Sequence, residues 1–426
     1  MRMLTFLRVA AIALLAVWAW RRRSLTLWIF VGMAAGAELG HDVPAVATSL
    51  RVLAQVFLRL IRTIVAPLLF ATLVVGIAGH SNLRQVGRMG VKALIYFEVV
   101  TTLALFIGWA AITVSRAGVG VTLVPPAETT AIQQPGQRSW QDIVLDVFPE
   151  NIARAVAEAE MLQVVVFSVL FGVALALLPD EKRRPMLAFA ESLAETMFRF
   201  TRIVMLMAPV GVGAAIAYTV GQLGVGILVN LLQLLVTFYV AVAIFVLVVL
   251  LPVAILARVP LRRFAEAVAE PVSLAFATTS SEAALPRAME AMERLGVPRP
   301  IVAFVMPTGY SFNLDGSTLY LSLAAIFVAQ AAGIELSIGQ QFVLLLTLML
   351  SSKGVAGVPR GALVILLGTV ASFGLPAEPV FVILGIDAVL DMVRTALNVL
   401  GNCLATVVIA RWEGEFPATQ NVKLET

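Results

Sequence analysis

Five polar residues follow one another at intervals of four, three, four and four inside an apolar stretch of the sequence. They are Asp387, Asp391, Arg394, Asn398 and Asn402, and Thr395 adds a hydroxyl beside them. At about 100° per residue these positions share one face of an α-helix. Ionisable side chains at bilayer depth are costly and usually mark an ion or substrate pathway. We therefore predict a transport site on this face, because an Asp–Arg pair that only joins two helices would need less polarity.

A second polar group interrupts an earlier apolar run. Its Asn-x-Asp-Gly sequence at residues 313–316 favours a turn, because Asn, Asp and Gly readily leave helical geometry. The unwound carbonyls, the Asn313 amide and the Asp315 carboxylate together form an oxygen-rich cage suited to a hard cation. A third apolar run adds Glu98, Thr101 and Thr102. Glu98 fits a structural ion pair as well as it fits a proton carrier.

The composition is that of a polytopic membrane protein. Hydrophobic residues make up 60% of the chain and charged residues 13%, with a mean hydropathy of +0.96 from the same sequence. The net charge of +4 does not indicate a nucleic-acid partner, because the basic residues cluster in short loops between apolar runs. The single cysteine excludes an intrachain disulfide, and the histidines lie at segment ends. We therefore expect no zinc or iron site. We also predict that the protein is not an enzyme and holds no resident cofactor.

The basic loops predict the orientation of the spans. Six apolar runs up to residue 257 place every basic loop on the cytoplasmic side if the segment from Leu25 starts inside. Residues 262–297 then begin and end in cytoplasmic territory, so we predict a re-entrant hairpin with its tip at 278–286. By the same reasoning residues 341–373 form a second hairpin, with its tip at 351–359. The two Ser-Ser…Pro-Arg tips resemble each other, which is typical of an inverted-repeat transporter.

Three segments lie outside this pattern. Residues 116–142 are rich in Gly, Pro and Gln and read as an external loop. Residues 412–426 are polar and read as a cytoplasmic tail. The apolar stretch at residues 5–20 fits an extra span, an interfacial helix or a cytoplasmic extension of the first helix. A cleaved signal peptide fits less well, because the positive charges follow the apolar run.

Taken together, these motifs resemble the dicarboxylate/amino-acid:cation symporter family, the glutamate transporter family. The likeness runs from about Leu25 to Trp412. Its most specific parts are the first hairpin tip, Asn313-Leu314-Asp315-Gly316-Ser317, the second tip at 354–359 and the polar helix from Asp387 to Asn398. The resemblance implies a homotrimer in a bacterial inner membrane, with both termini cytoplasmic unless residues 5–20 form an extra span.

The resemblance also implies an all-α fold of eight spans, in which a scaffold carries a transport domain that moves like an elevator. The expected division of the chain is 1–24 N-terminal extension, 25–91 scaffold spans 1 and 2, 92–115 transport span 3, 116–142 external loop, 143–224 scaffold spans 4 and 5, 225–257 transport span 6, 258–411 transport core and 412–426 tail. The core divides into hairpin 1 at 262–297, a broken span at 298–331, hairpin 2 at 338–374 and the last span at 377–411.

Residue roles follow from the resemblance in the same way. Arg394 is expected to pair with the substrate's side-chain carboxylate and Asp391 with its amino group. The remaining expected substrate contacts are Thr395, Asn398, Ser280, Ser281, Ser317 and Val358. The expected cation or proton residues are Asn313, Asp315, Thr101, Thr102, Gly309, Ser311, Ser352, Asn398, Asn402, Asp387 and Glu98, of which Asn313, Asp315, Thr101 and Thr102 would hold sodium.

These roles favour uptake of glutamate or aspartate. The planar guanidinium of Arg394 matches a carboxylate, and the negative Asp391 complements an ammonium but repels a pure dicarboxylate. A C4-dicarboxylate symporter is therefore the alternative, and an anion channel or a hydrolase using Ser280 or Ser281 with Lys353 are readings of other classes. Asn402 stands where sodium-selective relatives often have Asp, which weakens one sodium site. The coupling ion is thus undecided between protons and sodium, and we favour protons slightly.

Overall fold

The computed structural model describes residues 2–79, 83–121, 145, 148–157, 161–352 and 361–416. All regular secondary structure in these residues is helical, which confirms the all-α class. Several predicted features lie outside the described residues: Val358, Lys353 and the rest of the second hairpin tip, most of the external loop and the tail from residue 417. The side chain of Ser311 lies outside them too.

The described part of the chain contains the following α-helices. In chain order they are α1 Arg2–Arg22, α2 Leu25–Asp42, α3 Pro44–Ser49, α4 Arg51–Ala78, α5 Leu83–Ser115, α6 Ile152–Ala157, α7 Met161–Ala176, α8 Asp180–Met205, α9 Ala208–Leu223, α10 Ile227–Phe245, α11 Leu251–Leu256, α12 Leu261–Thr278, α13 Ser281–Leu295, α14 Arg299–Phe312, α15 Asp315–Ala331, α16 Ile338–Ser352, α17 Gly361–Ser372, α18 Glu378–Leu384 and α19 Asp387–Trp412. A π-helical turn at Val246–Leu250 joins α10 to α11.

Within the described part of the chain, four stretches are long and apolar enough to cross a membrane. They are Arg88–Ser115, Ile227–Leu256, Arg299–Ala331 and Asp387–Trp412. The pair α8 and α9, bent by 51°, makes a fifth if it is counted as one span. This agrees with a helical membrane protein. The count of eight spans and the re-entrant path of both hairpins stay predictions.

One group of helices forms around α2, α4 and α9. A row of glycines, Gly32, Gly36 and Gly40, lies against α9, and a Cβ on Gly36 would overlap the carbonyl of Gly213. Small residues at such an interface let two helix backbones approach closely, which is how helices associate in lipid. Helix α4 packs against α7, α8 and α9, so these elements form one continuous layer.

A second group surrounds α19. Helices α12, α13, α14 and α15 all pack on α19, and α15 packs along α5. In the last turn of α5, amides from other helices donate to backbone carbonyls: Gln233 donates to Ser115 O at 2.7 Å and Gln330 donates to Ile112 O at 3.2 Å. Since helix ends leave carbonyls without intrahelical partners, these bonds fix the end of α5 to α10 and α15.

Two interruptions shape this second group. Helix α12 ends at Thr279, whose φ of 52° is left-handed, and α13 begins with Ser280 as its N-cap, so the two helices form a tight hairpin. The backbone leaves helical geometry again at Asn313 and Leu314, between α14 and α15. This second break occurs where the Asn-x-Asp-Gly sequence favours a turn.

Candidate functional site

The polar face of α19 is buried inside the protein. Its members are all less than a tenth exposed: Asp387, Asp391, Arg394, Thr395, Asn398 and Asn402. They meet the interrupted region between α14 and α15, which is equally enclosed. Burial of ionisable groups without compensation is costly, so the partners of each side chain decide what this face can bind.

Arg394 lies between two carboxylates. Its Nε and Nη2 both donate to Asp391 Oδ1, at 3.0 and 2.5 Å, and its Nη1 lies 3.5 Å from Asp387 Oδ1. Thr395 adds a hydroxyl hydrogen bond to the same Asp391 oxygen at 3.3 Å. Among the described residues Nη1 has no hydrogen-bond partner. A buried donor in this position offers a fixed, charged contact to an incoming carboxylate.

Tyr320 completes the surroundings of Arg394. The centre of its ring lies 4.5 Å from Arg394 Cζ, and its hydroxyl donates to Asp387 Oδ1 at 3.3 Å. An aromatic face at this distance attracts a guanidinium, and the attraction is strongest where water is excluded. Tyr320 is not among the site residues that the sequence pattern predicts. Its only sequence signal is a helical spacing of three from Ser317.

Asn398 acts as the N-cap that α15 lacks in its own sequence. Its Oδ1 accepts from Gly316 N at 2.8 Å and from Ser317 N at 3.3 Å, and its Nδ2 donates to Ser317 Oγ at 3.0 Å. The first N–H groups of a helix have no intrahelical partner and require an acceptor. Asn398 and Ser317, both predicted substrate contacts, therefore lie in direct contact with each other.

Three glycines allow α19 to approach the interrupted helix this closely. A Cβ on Gly316 would overlap the Arg394 carbonyl, and one on Gly401 would overlap the Asp315 carboxylate. A Cβ on Gly309 would overlap Asn402 Oδ1. The side chains of Asp315 and Asn402 thus lie against the opposite helix backbone, so each glycine is a steric requirement of the site.

The predicted cation residues Asn313, Asp315 and Asn402 come together here. Asn313 Nδ2 donates to Asp315 Oδ2 at 3.4 Å, and all three residues are fully buried. In the described part of the chain, neither amide atom of Asn402 has a hydrogen-bond partner, and the same holds for Asn313 Oδ1. Buried amide oxygens without partners beside a carboxylate are suited to a hard cation.

The residues of α5 are less directly connected to this group. Thr101 donates back to Phe97 O at 2.6 Å, within its own helix, and Thr102 contacts Met349 Sδ at 3.4 Å on α16. Glu98 is half-buried on the same helix. These two hydrogen bonds run within α5 and to α16, and the role of the two threonines in a sodium site stays a prediction.

The serine hydroxyls of the two hairpins form hydrogen bonds with nearby backbone groups. Ser280 Oγ accepts from Ala283 N at 3.2 Å as the N-cap of α13, and Ser281 is buried beside it. Ser352 is buried near the end of α16 and donates to Met349 O at 2.8 Å. The hydroxyls of Ser280 and Ser352 are thus engaged locally, and their contacts with a substrate stay predictions.

A comparison of the sequence with known proteins assigns the chain to a family. A profile of the sodium:dicarboxylate symporter family matches residues 25–412. The chain belongs to this family. The matched region contains every element of the site, from α5 to α19, and begins only after α1.

Curated members of the family are similar over most of their length. The proton/glutamate-aspartate symporter of Escherichia coli (strain K12) is 46% identical over 370 residues, 85% of each chain. The proton/sodium-glutamate symport protein of Geobacillus stearothermophilus is 42% identical over 93% of this chain and 96% of its own. A C4-dicarboxylate transport protein of Anaeromyxobacter sp. (strain K) is 41% identical over 92% of this chain and 90% of its own.

Proposed function

We propose that this protein is a secondary active symporter that couples uptake of glutamate or aspartate to inward movement of protons, sodium ions or both. The observation that carries the proposal is the buried trio of Asp387, Asp391 and Arg394. A guanidinium with an available donor binds a carboxylate, and the adjacent Asp391 binds an ammonium. An acidic amino acid carries both groups, whereas a C4-dicarboxylate carries no ammonium.

The charges of the buried site support coupling to cations. If all are ionised, Asp315, Asp387, Asp391 and Arg394 leave a formal excess of two negative charges among fully or nearly fully buried side chains. An acidic substrate adds a further negative charge. Cations or protons that bind with the substrate lower this excess, which gives a physical reason for symport rather than uniport.

The proposal includes a homotrimer in which the helices around α19 move against the layer of α2, α4 and α9. Family membership and the division of the helices into two groups support it. Arg51 of α4 contacts α18, the helix that directly precedes α19. Its guanidinium lies 3.7 Å from Glu378 of α18 and 5.4 Å from the ring of Tyr218 on α9. A movement that carries α18 along with α19 would break the contact with Glu378.

A C4-dicarboxylate symporter is the second candidate. The Anaeromyxobacter relative is named a C4-dicarboxylate transport protein, and its identity to this chain is only slightly below that of the glutamate symporters. Asp391 argues against it, because a carboxylate beside Arg394 repels a second substrate carboxylate that has no ammonium to compensate.

Uptake into proteoliposomes tests the proposal. Radiolabelled glutamate, aspartate and succinate are offered separately under an inward sodium gradient and an inward proton gradient, with collapsed gradients as the control. We expect accumulation of glutamate and aspartate under at least one gradient, and none of succinate. Accumulation of succinate alone would establish the second candidate, and downhill flux of all three without any gradient dependence would indicate a channel.

Two variants separate the residue roles. Arg394→Ala should abolish uptake of acidic amino acids, and retained glutamate affinity would contradict the assignment of Arg394. If Glu98 carries the proton, Glu98→Gln should stop proton-driven uptake while exchange continues. An unchanged pH dependence in that variant would exclude Glu98 and leave Asp315 as the candidate carrier.

A further inference from the structure

Helix α1 precedes the part of the chain that matches the family, and it packs against α2. Near one end of the pair, Arg8 forms ion pairs with Glu38 at 3.2 Å and Asp42 at 3.5 Å. Near the other end, Trp20 and Trp28 line the same small cavity. As the residue number rises along α1, the number of its contact on α2 falls. The two helices therefore form an antiparallel hairpin.

The turn of this hairpin is defined. Arg23 adopts a left-handed φ of 47°, and Ser24 Oγ accepts from Leu27 N as the N-cap of α2. The three arginines at 21–23 therefore lie at the turn, together with Trp20 and Trp28. Arginines are enriched in cytoplasmic loops, and tryptophans are enriched at the membrane–water interface. This turn has both features, which places it at the cytoplasmic membrane surface.

The length and surface of α1 fit the hydrocarbon core of a bilayer. Its 21 residues span about 31 Å at 1.5 Å per residue, which is close to the thickness of that core. Large apolar side chains are exposed along its outer side, including Phe6, Leu14 and Trp20, each more than two thirds exposed. Its inner side packs on α2, where Ala19 is fully buried.

The charge on α2 gives α1 a further role. Glu38 lies one turn before the end of α2, and its side chain is only 16% exposed. A largely buried carboxylate requires a basic partner or a proton. Arg8, on α1, supplies that partner from outside the family-matched region, and Asp42 adds a second carboxylate to the same guanidinium.

We propose that α1 is an additional membrane span, antiparallel to α2, whose outer side faces the acyl chains of the lipid. Its first residues then lie on the same side of the membrane as Asp42 and α3, opposite the arginine-rich turn. The span adds lipid-facing surface to the layer of α2, α4 and α9 and neutralises Glu38. This inference concerns the path of residues 2–24 and is independent of the transported substrate.

Cysteine labelling tests the path of α1. The chain has one cysteine, Cys403, which is fully buried, so the unmodified protein provides the background. Three variants, each with one added cysteine, are compared. They are a flexible Gly-Ser-Cys extension before the first residue, Ser24→Cys at the turn and Ala45→Cys in the exposed part of α3. Each protein is treated with a membrane-impermeant maleimide in right-side-out vesicles, before and after permeabilisation.

We expect the cysteine of the extension and Ala45→Cys to lie on the same side of the membrane. Both should react before permeabilisation, and Ser24→Cys only afterwards. Reaction of the extension together with Ser24→Cys would place both ends of α1 on one side and overturn the proposal in favour of an interfacial helix or a cytoplasmic extension. Since the extension is flexible, it is accessible on whichever side it lies. Uptake of glutamate by the same variants is measured separately, so failure of the substrate assignment does not affect this result.

Discussion

Replacement of Asp391 by asparagine separates an amino-acid substrate from a dicarboxylate. The change preserves the size of the side chain and removes its charge. Asp391 Oδ1 accepts hydrogen bonds from Arg394 and Thr395, and it is the carboxylate we expect to receive the substrate ammonium. Loss of one partner of a buried, hydrogen-bonded charge pair costs about 2–5 kcal/mol in binding. The apparent affinity for glutamate should therefore fall roughly 30-fold to several thousand-fold.

Succinate should respond in the opposite direction. Without the negative charge at position 391, the repulsion of a second substrate carboxylate disappears, and the charge attraction that holds Nε and Nη2 of Arg394 is lost. We expect succinate inhibition of residual uptake to be unchanged or stronger in Asp391→Asn. The ratio of the two affinities, rather than either one alone, is the informative quantity.

The assay is competition against radiolabelled substrate in proteoliposomes, with reconstituted protein quantified and checked for a single elution peak. Asp387→Asn is the matched control, because it removes the same charge one turn earlier. Asp387 contacts Arg394 and Tyr320, so its loss should lower the affinities for glutamate and succinate to a similar degree. Equal losses for both substrates in Asp391→Asn would refute the role of Asp391 in binding the amino group.

Three further predictions concern the surroundings of the site. Tyr320→Phe removes only the hydrogen bond to Asp387 and should raise the KM for glutamate about fivefold. Tyr320→Leu also removes the ring that packs against Arg394 and should raise this KM roughly a hundredfold. Similar KM values for the two variants would contradict this. Gly401→Ala forces the Asp315 carboxylate to move and should raise the cation or proton concentration needed for half-maximal uptake at least about tenfold, while Gly339→Ala, a helical glycine with open space around it, should behave as the parent. Glu413 lies 2.7 Å from Lys92 and 2.5 Å from Arg88, and its hydrogen bond to Lys92 lowers the pKa of its carboxyl. The resulting stabilisation is present above the ordinary carboxyl pKa of about 4.3 and is lost as the pH falls through the lowered value. The parent should therefore have a higher melting temperature than Glu413→Gln at neutral pH, and the two melting temperatures should converge in acid. A difference that stays constant at all pH values would exclude the ion pair as the source of the stabilisation.

The sequence was sufficient for the features that depend on local order. The intervals from Asp387 to Asn402 predict one polar helix face, and in the structure that face is continuous in α19. The break at Asn313 is equally local, because the turn preference of Asn, Asp and Gly acts within four residues. The membrane class and the all-α fold follow from composition and the length of the apolar runs.

The partners of these residues were beyond the reach of sequence reasoning. Asn398 caps a helix whose first residues lie 82 positions earlier, and no spacing rule joins them. Tyr320, which packs against Arg394, belongs to an apolar helix whose periodicity does not mark it as a polar contact. For residues 5–20, composition left three alternatives, and the contacts of Arg8 with α2 come only from the tertiary structure.

The physical reason is the difference between a helix and a contact between helices. Periodicity determines which residues share a face, because a hydrogen bond in a helix joins positions four apart. Which two faces meet depends on where the backbones can approach, and here that is decided by Gly309, Gly316 and Gly401 on opposite elements. The sequence by itself determined that this chain carries a buried polar helix and an interrupted one; only the tertiary structure decided that they pack together and that Asn398, Tyr320 and Asp315 meet there.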